Sequence, residues 1–193
     1  MDMKEKLWGG RFRMELNENA KEFSYSLHVD KRLFLQDIKV NLIHAKALVN
    51  VGVISKEELS KIEACFKSLE KRYNNADETL FSGNDEDIHS CVERLVTEEL
   101  GDLGKKIHTG KSRNDQVITD FKLYLKEEIV DINCKIEELI KVLFDLAKEN
   151  IKVLMPGFTH MQPAQPVLFS HHLLAYAEKF ISPERYFPET WSN

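Results

Sequence analysis

The chain has 193 residues, 42% of them hydrophobic and 31% charged, and carries a net charge of −5. Such a length and composition fit a soluble globular protein with one full core or two small ones. The acidic balance excludes a general nucleic-acid surface or an anionic membrane surface, and no run of about 18 apolar residues is present to span a bilayer.

In chain order, the N-terminus opens with Met1-Asp2-Met3-Lys4-Glu5-Lys6, which has no apolar signal core behind it. Leu7-Trp8-Gly9-Gly10-Arg11-Phe12 then reads as an irregular arm with apolar anchors. Leu35, Ile38, Leu42, Ala45 and Val49 recur at helical spacing and define one apolar face. Gly52 ends that helix. Ser55 with Glu58 forms a capping-box pattern, and opens a helix whose face is Leu59, Ile62, Phe66, Leu69 and Tyr73. Asn74 to Gly83 is a polar break. A third helix is expected from about Asp85 to Leu100, with Ile88, Cys91, Leu95 and Val96 inward and with Gly101 and Gly104 closing it.

The longest element follows. From Ile118 to Leu146 an apolar stripe (Ile118, Phe121, Leu125, Ile129, Ile132, Ile136, Leu139, Leu143, Leu146) runs without a Gly or Pro. Taken from Asp115 to Asn150, it predicts roughly 54 Å of continuous helix. A stripe of that length calls for a bundle or a subunit interface. Met155 to Gln165 is expected as a loop, and Pro166 as the first residue of a helix with Phe169, His172, Leu173, Tyr176, Ala177 and Phe180 on its face. No alternating strand run is evident. All five prolines lie at or after Pro156, so the first 155 residues can be helical with few interruptions. Cys65, Cys91 and Cys134, odd in number and far apart, fit free buried thiols in a reducing cytoplasm. The expected fold is all-α. A small N-terminal helical domain with its irregular arm covers 1–105, the start of a central helical bundle covers 106–178, and 179–193 is a divergent tail.

Two segments carry chemistry. The first is His108-Thr109-Gly110-Lys111-Ser112-Arg113-Asn114-Asp115-Gln116-Val117. It gathers cationic, hydroxyl and amide donors just where the long helix starts, and helix N-termini favour anions. Gly110-Lys111-Ser112 resembles the end of a phosphate-binding P-loop. That motif needs a Gly at the position Lys105 occupies and a strand before it, so nucleotide binding is rejected. The bland alternative is a polar helix cap at Asn114 or Asp115. The second segment is Pro156-Gly157-Phe158-Thr159-His160-Met161-Gln162-Pro163-Ala164-Gln165-Pro166. It places a His, suited to proton transfer near neutral pH, among hydroxyl and amide donors.

Together with the Trp8 arm, with Asp85-Glu86-Asp87-Ile88-His89 and with Ser26 and Asp30 in Ser24-Tyr25-Ser26-Leu27-His28-Val29-Asp30, these segments resemble argininosuccinate lyases of the fumarase/aspartase superfamily. The resemblance spans residues 7 to about 178. It implies an all-α homotetramer whose active sites each draw on three subunits. The implied reaction is reversible β-elimination of argininosuccinate to fumarate and L-arginine, in arginine biosynthesis, with neither metal nor organic cofactor. It further implies His160 and Thr159 as catalytic residues, and Ser26, His89, Ser112, Arg113, Asn114, Thr159 and Gln162 as substrate-binding residues. For His89, a helix-surface position is the competing reading. The expected partner is thus a small-molecule substrate, with neither nucleic acid nor membrane.

The chain also departs from the family pattern. Lys111 stands where the family usually has Arg, which keeps the charge but loses the bidentate fork, and Val40-Asn41 replaces a usual Gly-Ser. The sequence from Lys179 no longer resembles the family. A third motif, Gly-Ser-Ser-x-Met-Pro-x-Lys, is not found in these 193 residues, so the chain alone is expected to be inactive or very weak. Sister lyases (adenylosuccinate lyase, fumarase, aspartase) fit the anion run less well. A non-catalytic scaffold protein, as the delta crystallins illustrate, an arginine-type binding module and an inert fragment are the remaining alternatives.

Overall fold

A computed structural model of the chain describes residues 17–184. The Leu7–Phe12 arm and the end of the divergent tail lie outside them. The chain divides at Lys122/Leu123 into two compact units.

The first unit is built from short and medium helices: α1 Glu18–Ser24, α2 Leu27–Asp30, α3 Phe34–Asn50, α4 Lys56–Asn74, α5 Ile88–Leu100 and α6 Asp102–Lys106. Its core joins α3, α4 and α5. Ile62, Phe66 and Leu69 of α4 and Ile88, Cys91, Leu95 and Val96 of α5 are all buried, as their spacing predicts. Phe34 is wholly buried at the start of α3. It stacks on Tyr73 with ring centroids 5.0 Å apart and meets Phe81 edge-on at 5.6 Å. Phe81 belongs to a 3-10 turn, Glu78–Phe81, that fills part of the expected polar break.

The capping box at α4 forms as predicted. Glu58 N–H donates to Ser55 Oγ at 3.1 Å, and Ser55 N–H donates to Glu58 Oε2 at 2.8 Å. Ser55→Ala is therefore expected to cost about 1 kcal/mol of stability, measurable as a lower urea midpoint at unchanged m-value. Gly52, at φ +77°, supplies the left-handed turn after α3.

Several expectations are corrected. The buried residues of α3 are Phe34, Gln36, Asp37, Ile38, Asn41, Ala45 and Leu48, whereas the apolar spacing pointed to Leu35, Ile38, Leu42, Ala45 and Val49. The buried face is shifted because three polar residues, Gln36, Asp37 and Asn41, are buried. Gly104 does not close α5; it lies inside α6, where a Cβ would stand 2.8 Å from the Thr97 backbone. Cys65 and Cys91 are buried, and burial pushes both thiols up to about 12. Cys134 is exposed instead.

The long helix α7 spans Arg113–Glu149, close to the expected bounds. None of the nine stripe residues is buried by the described chain. Ile118, Phe121 and Ile132 are each about half exposed, and Leu125, Leu139 and Leu146 are also exposed.

In the second unit α7 continues into an antiparallel hairpin, β1 Leu154–Thr159 and β2 Gln162–Leu168, and then α8 Phe169–Glu184. The hairpin replaces the expected loop, and α8 starts three residues later than Pro166 predicts. The prolines hid the strands, because proline cannot donate to a ladder. A two-stranded ribbon is all edge, so Pro156 pairs with Pro166 and Phe158 with Pro163 across it. A bulge at Gly157/Phe158 absorbs the extra residue. Leu173 and Ala177 are the buried apolar side of α8. The fold is otherwise mostly α-helical, and among the described residues no helix is long and apolar enough to cross a membrane.

Candidate functional site

The anion run folds as a turn leading into a helix. Gly110 takes φ +69°, Lys111 N–H donates to His108 O at 3.3 Å, and His44 Nε2 holds Thr109 O at 2.9 Å. Gln116 N–H closes the first turn of α7 on Ser112 O at 3.2 Å. The amides of Arg113, Asn114 and Asp115 thus stand at the open end of a long helix, the position that favours an anion. Ser112 and Asn114 are exposed there.

The two cations of the run turn inward, each to its own partners. Arg113 donates from Nη2 to Ser90 Oγ at 2.9 Å and from Nη1 to Glu86 Oε1 at 3.2 Å, and lies 3.3 Å from Asp87 Oδ1. Asp87 is also the N-cap of α5, accepting from Ser90 N–H at 2.7 Å, so Arg113 grips the start of that helix. Ser26 reaches the same place: its N–H donates to Glu86 O and its Oγ to Asp30 Oδ2, both at 2.7 Å. Lys111 donates to Asn41 Oδ1, and burial lowers its ammonium pKa.

Behind the run lies a buried polar cluster. Asp37 and His89 are 0% and 5% exposed. His89 Nδ1 stands 2.7 Å from Asp37 Oδ1 and 3.4 Å from Asp120 Oδ2. Asn41 Nδ2 donates to Asp37 Oδ2 at 2.8 Å, and Gln116 Nε2 donates to Asp37 Oδ1. His89 is therefore not a surface histidine, and its ring is oriented by Asp37. Asp37, His89 and Asp120 place three ligand-type atoms within 4.8 Å of one another, a spacing a metal ion could use. Asp37 already accepts from three side chains, however, so the set suits a proton better than a metal. A cleft of about 20 Å³ beside it, lined by Asn41, His89, Lys111 and Gln116 among others, has room for about one water.

Thr159, His160 and Gln162 occupy the tip of the hairpin in the second unit. Thr159 and Gln162 are the last paired residues, leaving His160 and Met161 as a two-residue turn. Both have positive φ, +49° and +62°. Such turns favour Asn-Gly, so two non-glycine residues hold a left-handed backbone there. His160 is exposed, as is Met161 at 96%.

The structure thus brings Ser26 and Arg113 together around Glu86, seats His89 behind the run, and sets Thr159, His160 and Gln162 on one turn. Sequence reasoning missed Asp37, Asn41, Gln116 and Asp120. The available signal was two polar i,i+4 pairs, Asp37/Asn41 and Gln116/Asp120, each on a largely apolar helix.

The site is thus a helical frame in which a donor-rich run opens a long helix. The lyase family matches residues 10–187, and the chain belongs to it. Over 175 residues, 91% of this chain, it is 49% identical to argininosuccinate lyases of Desulforudis audaxviator and Thermoanaerobacter sp.. It spans 38% and 39% of those two proteins. The fold resembles fumarate lyase from Mesorhizobium sp. BNC1, at a TM-score of 0.58 and 22% identity, over 89% of this chain and 39% of that one. It also resembles β-carboxy-cis,cis-muconate cycloisomerase from Acinetobacter calcoaceticus sp. ADP1, at 0.60 and 18%, over 86% and 38%.

Proposed function

We propose that this chain supplies part of an active site for the reversible β-elimination of argininosuccinate to fumarate and L-arginine, a step of arginine biosynthesis in the cytoplasm. The observation that carries this reading is the 49% identity to argininosuccinate lyases over 91% of the chain. The site chemistry accords with it. Elimination removes a proton from the carbon beside a carboxylate, breaks the carbon–nitrogen bond and returns a proton to the departing guanidino nitrogen. The dianionic intermediate needs fixed donors, which in a pocket closed to water can contribute several kcal/mol. Ser112, Asn114 and the open amides of α7 serve as those donors, with Ser26, Gln162 and Thr159 as further substrate contacts. Arg113 and His89 act from behind, holding the start of α7 against α5 and α3. His160, with Thr159 beside it, moves the proton.

Assembly as a homotetramer completes the proposal. None of the nine α7 stripe residues is buried among the described residues, and a helix with such a face is stabilised by packing against others.

The test is co-expression of this chain with the portion of the Thermoanaerobacter sp. relative that it does not match. Fumarate absorbance is expected from the co-purified pair with argininosuccinate, and little or none from this chain alone. A stable pair that forms no fumarate would overturn the assignment.

A further inference from the structure

We infer that Asp120 is a buried, uncharged carboxylic acid that donates its proton to Asp37, and that this proton fastens the first turns of α7 to α3 and α5. Both side chains are 0% exposed. Neither Asp120 oxygen receives a well-formed hydrogen bond, although an ionised carboxylate buried in that state is costly. Asp37, in contrast, accepts from Asn41 of its own helix, from His89 of α5 and from Gln116 of α7. The fitting arrangement is one charged acceptor, Asp37, and one neutral donor, Asp120. Burial first, and then the charge and hydrogen bond of Asp37, push the Asp120 carboxyl up to about 9. A metal ion is the poorer occupant. Two ligand atoms on one tetrahedral zinc stand roughly 3.3 Å apart, whereas His89 Nδ1 and Asp37 Oδ1 are 2.7 Å apart, the distance of a shared hydrogen.

The charged and titratable groups around Asp120 are Asp37 from α3, His89 from α5 and Lys111 from the run, and Lys111 in turn feels Glu93 of α5 and Arg113. Lys111 reaches the cluster through Asn41, which accepts its ammonium and donates to Asp37. One proton therefore lies at the junction of three helices and of the donor-rich run. The inference does not depend on the proposed reaction, because its readout is folding.

The sign of the linkage is fixed. Below the ordinary aspartate value of 3.8, folded and unfolded chains both hold the proton. Between there and about 9 the unfolded chain loses it while the folded chain keeps it. Asp120's contribution therefore falls with rising pH and levels off above that value.

The experiment compares the wild-type chain with Asp120→Asn, whose amide keeps a donor toward Asp37 and cannot ionise. Urea unfolding is followed by circular dichroism from pH 5 to 8. The folding constant of wild type relative to the variant is expected to fall about tenfold per pH unit, with the variant the more stable at pH 8. Comparing the two cancels the titrating groups that lie away from Asp120. Parallel pH dependences would overturn the inference, as would a rise in melting temperature with Zn²⁺ or Mn²⁺ that the variant lacks. Should the variant not fold, infrared spectroscopy of wild type at pH 7 decides. A protonated carboxylic C=O stretch is expected, and its absence would sink the idea.

Discussion

In the co-purified pair described above, His160→Asn is expected to lower the rate of fumarate formation by about 10²- to 10⁴-fold, the range for loss of a positioned acid or base. Asparagine is the informative replacement because it tolerates the left-handed backbone that His160 adopts at φ +49°. The turn between Thr159 and Gln162 should therefore persist, and the loss reports chemistry and not a collapsed hairpin. Met161→Asn, at the other turn position, serves as the control and should leave the rate within a few-fold. A His160→Asn enzyme within tenfold of the parent would remove His160 from proton transfer. Thr159 would then be the remaining candidate on that turn.

Phe34→Ala is expected to destabilise the first unit by about 3–5 kcal/mol. The ring is completely buried and touches two other aromatic rings. It ties the start of α3 to the end of α4, through Tyr73, and to the 3-10 turn Glu78–Phe81, so no single element can relax into the hole. Phe34→Leu keeps much of the volume and should cost clearly less. Urea unfolding at neutral pH measures both. A loss under 1 kcal/mol for the alanine variant would mean that the three rings are not the keystone their geometry indicates.

What the sequence revealed depended on how local each signal was. The capping box of Ser55 and Glu58 is written within four residues and forms as read. The α7 stripe repeats so often that its helix could not be missed. On α3, by contrast, hydrophobicity alone misplaced the buried face, because Asp37 and Asn41 are buried for the sake of Gln116, Lys111 and His89. Those partners lie 79, 70 and 52 residues away from them, and no periodicity reports such pairings. The hairpin was hidden by its own prolines. The donor-rich run was legible as a helix start, but not the inward turn of its cations. For Arg113 that turn is set by Glu86, Asp87 and Ser90 at the beginning of α5, and for Lys111 by Asn41 of α3.

The His160–Met161 turn bears on how this gene can drift. A backbone corner of this kind is easiest to form with Asn-Gly, so two bulky side chains there carry a standing cost in stability. On the proposed role of His160, a lineage released from catalysis should lose this dipeptide early, exchanging it for Asn-Gly and becoming more stable as it does so.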